Sequence, residues 1–386
     1  MKRISGPARL AGAFGVAAVL ALAGSAQADM VKQLGKGEGE LAIVAWAGYV
    51  ERGDSDKTAD WVTGFEKETG CKVTVKIAGS SDEMVSLMNG GGFDLVTASG
   101  DASLRLVAGK TVQEINTALV PSWDKIDPRL RDGAWHTVGG KQYGVPYQWG
   151  SNVLMYNTKV FPKAPESWNV VFEPMTLPDG KPNKGRVQAF YGPIYIADAA
   201  LYLMHAKPEL GIKDPYELDQ KQFDAAVALL KQQRQIVQKY WSDATQQTQD
   251  FTSEGVVAAP SWPYQVNLLE GQKQPIASTV PVEGATGWAD TLMMHAKAPH
   301  PNCAYLWMEH ALQPQVQTAI AGWFGSVPVT PGACTGDAKA TCDANGIANF
   351  DRISFWKTPV ANCGDGKTCV PYKDWTAAYL AVQSGQ

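Results

Sequence analysis

One part of the chain alternates between short apolar runs and amphipathic stretches in an order that few folds allow. Glu40 to Ala45, Lys72 to Ile77 and Phe93 to Thr97 are typical of buried strands. Between them, Thr58 to Thr69 and Ser80 to Met88 carry apolar residues at helical spacing. The order strand, helix, strand, helix, strand predicts a parallel sheet with right-handed crossovers. The predicted fold class is therefore α/β, and ligands in such sheets bind beyond the carboxyl ends of the strands.

The N-terminal segment is expected to be a targeting signal that lies outside this fold. Basic residues precede the apolar run Leu10 to Gly24, and Ala26-Gln27-Ala28 is a small-x-small cleavage signal. The apolar run is shorter than the roughly 20 residues that a membrane-spanning helix needs. The sequence therefore predicts a secretory signal peptide over residues 1–28 and a soluble mature protein in the periplasm.

The charge balance excludes one class of partner. Removal of the signal peptide takes away three basic residues, so the formal net charge falls from −4 to about −7. No basic stripe remains that would bind nucleic acid. A mild acidic excess is compatible with a cationic ligand.

Cysteine usage indicates disulfides. All six cysteines lie in the mature part, and an even number in an oxidising compartment favours bridges over metal ligation. No Cys-x-x-Cys and no His/Cys cluster with zinc spacing occurs, so we expect neither a metal nor a cofactor. The two pairs predicted to close short loops are Cys334 with Cys342 and Cys363 with Cys369, which leaves Cys71 and Cys303 to meet across the fold or stay free.

Length and two extended runs predict a two-lobed molecule. A mature chain of roughly 360 residues is long for one core. Lys141 to Asn157 is a long extended run, and the strand around Trp288 is another, so we expect two crossings between α/β halves and a cleft with hinged closure. The predicted parts are 29–150 and 284–328 for lobe one, and 151–283 and 329–386 for lobe two.

Further elements are predicted in the second half of the chain. Asp198 is expected to open an apolar helix over Ala199 to Ala206. Gln222 to Gln238 has the pattern of one long amphipathic helix, and Gly255 to Ala259 that of a strand.

The sequence Gly287-Trp288-Ala289-Asp290-Thr291 is the strongest local candidate for a binding site. Two residues apart on a strand, Trp288 and Asp290 project to the same face. An aromatic face and a carboxylate together suit a cation. The alternative is that Trp288 belongs to the core and Asp290 caps a turn.

Motifs spread over the mature chain resemble one known family. They are Val44 to Val50 with its Trp and Tyr, Phe93 to Val96 followed by Ser99, Tyr143 to Gly150, and Trp288-x-Asp290. This set is similar to the periplasmic spermidine/putrescine-binding proteins of ABC importers. The resemblance implies a two-lobed, type II-like periplasmic binding protein fold.

Three longer segments resemble one subgroup of that family. Gly48 to Gly53, Ser99 to Arg105 and Gly192 to Ala200 are similar to the corresponding stretches of the YdcS subgroup. That subgroup is associated with formation of short 3-hydroxybutyrate polymers. The resemblance thus implies a second possibility, a bifunctional protein with acyltransferase activity.

The family resemblance also implies roles for individual residues. Trp46 and Tyr49 would wall the cleft, Ser99 would hydrogen-bond an amine, and Trp262 would be an aromatic lid. Asp290 would be the main amine anchor and Asp198 a carboxylate from lobe two. The complete set of candidate ligand contacts is Trp46, Tyr49, Ser99, Asp101, Trp149, Asp198, Trp262, Trp288 and Asp290.

Two departures from the family pattern bear on the ligand. Ala47-Gly48 replaces a polar or acidic pair, and Leu201 stands where spermidine binders place a second carboxylate. Asp101, close to Ser99, is a candidate replacement. We therefore expect a ligand with fewer cationic centres than spermidine, such as putrescine, another amine or an amino-acid-like cation.

The resulting hypothesis is a monomeric solute-binding protein that delivers a small cationic ligand to an inner-membrane ABC permease. It would touch the membrane complex only peripherally. The synthase alternative needs an activated nucleophile, and Cys71 is the only candidate, without a recognisable catalytic setting. A periplasmic receptor that senses the ligand without transport is a third hypothesis, since the same lobes serve both purposes.

Overall fold

The computed structural model describes residues 30–54, 56–364 and 366–385. The predicted signal peptide lies outside these residues. Within them, no helix is both long and apolar enough to cross a membrane.

The strands predicted at the start of the chain are present. The first two have the predicted bounds, and the third begins two residues later than expected. The strands are β1 Glu40–Ala45, β2 Lys72–Ile77, β3 Leu95–Ala98, β4 Thr137–Val138, β5 Lys141–Gln142, β6 Val145–Ser151, β7 Val153–Asn157, β8 Val187–Phe190, β9 Val237–Trp241, β10 Ala258–Ser261, β11 Ile276–Thr279, β12 Ala285–Met294, β13 Val327–Pro328 and β14 Ile353–Phe355.

Helices pack against both sheets and connect the strands. They are α1 Thr63–Thr69, α2 Ser81–Gly90, α3 Gly100–Ala108, α4 Pro128–Arg131, α5 Asn169–Phe172, α6 Ile196–Ala206, α7 Gln220–Gln233, α8 Ala244–Ser253, α9 Pro263–Gly271, α10 Pro301–Ala311, α11 Pro314–Phe324, α12 Ala338–Ala344 and α13 Tyr372–Ser384.

The first sheet has the order β13-β6-β12-β3-β1-β2. β1 pairs in parallel with β2 and β3, as the strand and helix alternation predicts. β12 enters antiparallel between β3 and β6 and is buried along its whole length. The carboxyl ends of β1 and β3 therefore meet beside the middle of β12.

The second sheet has the order β11-β7-β10-β8-β9. The chain leaves the first sheet at the end of β6 and enters the second at β7, with only Asn152 between them. It returns between β11 and β12. A two-lobed α/β architecture with a cleft between two sheets is thus confirmed, while the exact lobe boundaries at 150, 283 and 328 stay predictions.

The C-terminal part contributes to both lobes. β12 is ten residues long, and β3 pairs only with its last four. β14, in a segment that we assigned to lobe two, pairs in parallel with Ala285 to Gly287 and so covers the start of the same edge of β12. α13 packs instead against α7 in the second lobe.

The bounds of two predicted helices differ most from the structure. α1 begins at Thr63, because the Asp60 carboxylate accepts hydrogen bonds from the backbone N–H groups of Val62 and Thr63. The long helix predicted to reach Gln238 ends at Gln233, and β9 follows it. β9 pairs with β8 and completes the second sheet, so tertiary pairing overrides the helical pattern there.

All six cysteines form disulfides. The two short-loop pairs, Cys334–Cys342 and Cys363–Cys369, are as predicted. The question left open for the other two is answered by Cys71–Cys303, which ties the start of β2 to α10 across 232 residues of sequence. In this state Cys71 has no thiolate to offer as a nucleophile.

Candidate functional site

Trp288 and Asp290 lie on one face of β12, as their spacing predicts. Opposite them on β6 are Gly150 and Gln148. A Cβ atom at Gly150 would lie 2.6 Å from the Trp288 ring, so only glycine leaves room for that indole. The neighbouring strand therefore fixes the position of the tryptophan.

The carboxyl group of Asp290 is buried between two hydroxyl donors. Tyr49 Oη donates to Oδ2 at 2.7 Å, and Ser99 Oγ donates to Oδ1 at 2.5 Å. Tyr49 follows β1 and Ser99 follows β3, so both come from the strand ends that the fold brings to β12. Burial raises the pKa of Asp290 to about 7, although both hydrogen bonds act in the opposite direction.

A cavity with mostly aromatic walls lies beside this carboxyl group, and we call it the Asp290 cavity. Trp262 enters it from the second lobe, just before α9, with its ring centroid 5.6 Å from that of Trp46. The ring of Trp288 makes an edge contact with that of Phe324, with the ring centroids 5.4 Å apart. The cavity is lined by Trp46, Tyr49, Ser99, Trp262, Trp288, Asp290, Phe324 and Trp356.

Two lining residues were not predicted, Phe324 and Trp356. Phe324 is the last residue of α11 and stacks on Tyr264 at 5.4 Å. Its place before Gly325, which caps the helix with φ of 79°, marks a helix end but not a cavity wall. Trp356 follows β14, in a tail whose pairing the sequence does not reveal.

Asp198 lies in a neighbouring cavity, which we call the Asp198 cavity. It stands in the first turn of α6, not before it, since the helix starts at Ile196. The Thr286 hydroxyl on β12 donates to its Oδ1 at 2.9 Å. Burial raises the pKa of Asp198 to about 7, against the effect of Thr286 and of its own backbone N–H.

Asp101 lies in a third cavity, which shares Trp46 and Trp356 with the Asp290 cavity. Its carboxylate accepts a hydrogen bond from Ser81 Oγ at 2.8 Å. Burial raises the pKa of Asp101, and nearby Arg105 opposes that shift. Three buried carboxyl groups thus line three cavities that have Trp356 in common.

Trp149 is not part of these cavities. It pairs with Ala289 of β12, so by strand alternation it projects to the face opposite Trp288 and Asp290. Its ring packs against Phe350 at 5.0 Å and Phe355 at 6.0 Å. The other predicted contacts lie together: Trp46, Tyr49, Ser99, Trp262, Trp288 and Asp290 in one cavity, Asp198 and Asp101 in the adjoining two.

The structure explains why position 48 is a glycine. Its φ of 83° is unfavourable for other residues, and a Cβ there would lie 3.0 Å from the Tyr264 ring. A polar side chain at this position would have to displace that ring.

No group of three or more metal-ligating side chains occurs in the described ranges.

Comparison with known proteins establishes the class to which this fold and site belong. Residues 60–345 match the family of bacterial extracellular solute-binding proteins, and the chain belongs to that family. The family resemblance seen in the motifs is thereby confirmed, while membership of the YdcS subgroup stays a prediction.

Individual relatives are similar over most of their length. The putrescine/agmatine-binding protein of Pseudomonas aeruginosa is 24% identical over 275 residues, 68% of this chain and 72% of that protein. The putrescine-binding periplasmic protein PotF of Escherichia coli is 25% identical over 314 residues, 78% of this chain and 80% of that protein. These relatives are binding proteins by name.

A solved structure confirms the fold. The spermidine/putrescine ABC transporter substrate-binding protein PotD of Streptococcus pneumoniae superposes with a TM-score of 0.67 at 16% identity. The match covers 90% of this chain and 99% of that one.

The raised pKa values predict how the stability of the unliganded protein depends on pH. The pKa of Asp290 is about 7 in the folded protein against an ordinary value of 3.8. The folded state therefore binds the proton more tightly than the unfolded state does. This difference contributes to the free energy of unfolding in full below pH 4, and the contribution is lost as pH rises through 7. At on the order of 1.4 kcal/mol per pKa unit, the loss is a few kcal/mol.

Asp290→Asn should remove this loss. We expect urea unfolding of the ligand-free proteins to show that the free energy of unfolding falls between pH 5 and pH 8 in wild type. In the variant this fall should be smaller by at least about 2 kcal/mol. The exposed Asp337→Asn is the matched control and should follow wild type. Parallel pH profiles for wild type and Asp290→Asn would contradict the buried, neutral carboxyl group.

Proposed function

We propose that the protein is the periplasmic solute-binding component of an ABC importer and captures a small cationic amine in the cleft around Asp290. It would act as a monomer and deliver the ligand to an inner-membrane permease. The observation that carries this proposal is a buried carboxyl group at the junction of the two lobes, walled by aromatic side chains from both.

The energetics of Asp290 favour a cation. An ionised carboxylate with 2% exposure is costly unless a positive charge pairs with it. An ammonium group would offset that cost and would also be attracted to the faces of Trp46, Trp262 and Trp288 through cation–π interactions. A neutral or anionic ligand would leave the carboxylate uncompensated.

Two features support an amine in particular. The relatives from Pseudomonas aeruginosa and Escherichia coli are named for putrescine binding. The additional buried carboxyl groups, Asp198 and Asp101, give a ligand with a second amine a further partner. Gly48 and Leu201 offer no such group, which is consistent with a ligand shorter than spermidine.

Capture requires the lobes to separate and close. Trp262 of the second lobe and Trp46 of the first lie in edge contact across the cavity. We infer that this contact parts to admit the ligand. The two connections between the sheets, at Asn152 and between Thr279 and Ala285, are short enough to act as the hinge.

The synthase alternative finds no support in the geometry. Its candidate nucleophile, Cys71, is bonded to Cys303. A thiolate is required for acyl transfer by cysteine. The relatives named above are binding proteins, and we infer that this chain is not an enzyme.

A thermal-shift panel tests the proposal directly. The panel contains putrescine, cadaverine, spermidine, 4-aminobutyrate and glycine betaine. A ligand at a hundredfold excess over Kd raises apparent stability by about 2.7 kcal/mol. We expect the largest shift with a short diamine, and no shift with any amine would overturn the proposal.

Asp290→Asn tests the anchor. The substitution keeps the shape of the side chain but removes its charge, so calorimetric affinity for the best amine should fall by about 2 kcal/mol or more, roughly thirtyfold. The Asp337→Asn control should bind as tightly as wild type. Unchanged affinity in Asp290→Asn would place the cation at Asp101 or Asp198 instead.

Two tryptophans on adjacent strands give a matched test of the aromatic wall. Trp288→Leu and Trp149→Leu each remove a buried indole, so both should lower the melting temperature. Only Trp288→Leu removes a ring that faces Asp290, and we expect it to weaken amine binding about fivefold or more. Equal loss of affinity in both variants would show that the effect is a general loosening of the sheet.

A further inference from the structure

The Asp198 cavity holds hydrogen-bond acceptors that have no partner among the residues that the structure describes. Asn152 Oδ1 and Ser261 Oγ are both buried and receive no hydrogen bond among the described residues. Asn152 is 6% exposed and Ser261 1% exposed, and both line this cavity beside Asp198. Buried polar atoms without partners are uncommon in native proteins and need an explanation.

A chain of hydrogen bonds fixes the orientation of these groups. Asn152 Nδ2 donates to Thr286 Oγ1 at 2.7 Å, and Thr286 Oγ1 donates to Asp198 Oδ1 at 2.9 Å. Because the Thr286 hydroxyl proton goes to Asp198, its oxygen can only accept from Asn152. The amide nitrogen of Asn152 is therefore held toward Thr286, which leaves Oδ1 as a free acceptor.

The Asp290 cavity has the opposite character. Six of its eight lining residues are aromatic. Both oxygens of Asp290 already accept protein hydroxyl groups. Its unpartnered polar atoms are indole donors, on Trp46, Trp288 and Trp356. Few acceptors therefore remain there for the N–H groups of a ligand.

We propose that the cleft is polarised: the Asp198 cavity binds an unsubstituted primary ammonium through Asp198, Asn152 and Ser261, and the Asp290 cavity also accepts an N-methylated ammonium. This inference rests on the proposed amine-binding function and specifies which end of the ligand each cavity recognises. Trp262 and Trp356 line both cavities, so the ligand chain passes beside them.

The number of donors and acceptors explains the difference between the two ends. A primary ammonium has three N–H donors, and the Asp198 cavity offers one acceptor on each of three side chains. Methylation removes a donor and leaves one buried acceptor unsatisfied, which is penalised. On aromatic faces the methyl groups of an alkylated ammonium cost little, because cation–π attraction needs no N–H.

Methylated diamines test the polarity on the wild-type protein. The probes are 1,4-diaminobutane, its N-methyl derivative and its N,N′-dimethyl derivative, titrated calorimetrically. The N-methyl compound can direct its primary end to Asp198, so we expect its affinity to stay within about threefold of the diamine. The N,N′-dimethyl compound should bind about tenfold more weakly or worse. Equal affinity of both methylated compounds would overturn the proposal.

Ser261→Ala tests the site from the protein side. The Ser261 hydroxyl has no partner in the described part of the chain, so its removal should leave the melting temperature of the free protein unchanged or raise it. Affinity for 1,4-diaminobutane should nevertheless fall about tenfold. Ser122→Ala is the control, because its hydroxyl donates to Glu309 away from the cavities, and it should lower stability without changing affinity.

The outcomes separate this inference from the proposed function. If wild type binds no diamine, the amine-binding function fails and this inference with it. If wild type binds 1,4-diaminobutane and Ser261→Ala binds it as tightly, only the three-acceptor site is wrong.

Discussion

The burial of the Asp290 carboxyl group is the constraint on which the site depends. Its two hydrogen bonds come from Tyr49 after β1 and Ser99 after β3, so one carboxyl group joins three adjacent strands of the first sheet. Parallel strands β1 and β3 end at the same edge, which is where α/β sheets bind ligands. The same burial raises the pKa of the carboxyl group to about 7, so the group is protonated below that pH and its ionised form depends on a cation.

One strand face organises two of the three cavities. Thr286, Trp288 and Asp290 are two residues apart on β12, and its register with β6 is regular as far as Asp290. The three side chains therefore share a face. Thr286 orients Asp198 of the second lobe and Asn152 of the connection between the sheets, while Trp288 and Asp290 line the neighbouring cavity. In the binding mode that we propose, these alternate residues of one strand position both ends of the ligand.

The sequence predicts much of this arrangement. Period-two spacing places Trp288 with Asp290, and strand and helix alternation places Trp46 and Ser99 at strand ends. It does not predict Trp356, because the three-residue β14 is a strand only through its pairing with β12. Trp149 comes from a motif that does not specify which face of β6 it occupies.

The unpartnered acceptors are also beyond prediction from sequence. Asn152 and Ser261 are 109 positions apart in the numbering and come together only because β7 and β10 are neighbours in the second sheet. Their lack of protein partners is a property of the packed structure and not of residue type. Helix capping and period-two patterns carry no information on it.

Proton release on ligand binding tests most directly whether a cation pairs with buried carboxyl groups. Titration of 1,4-diaminobutane into the protein at pH 6, in buffers of different ionisation enthalpy, counts the protons released. Because the pKa values of Asp290 and Asp198 are both about 7 without ligand, each should give up its proton when an ammonium arrives. We expect about one to two protons per ligand for wild type and about one fewer for Asp290→Asn. Tight binding at pH 6 without proton release would contradict this account.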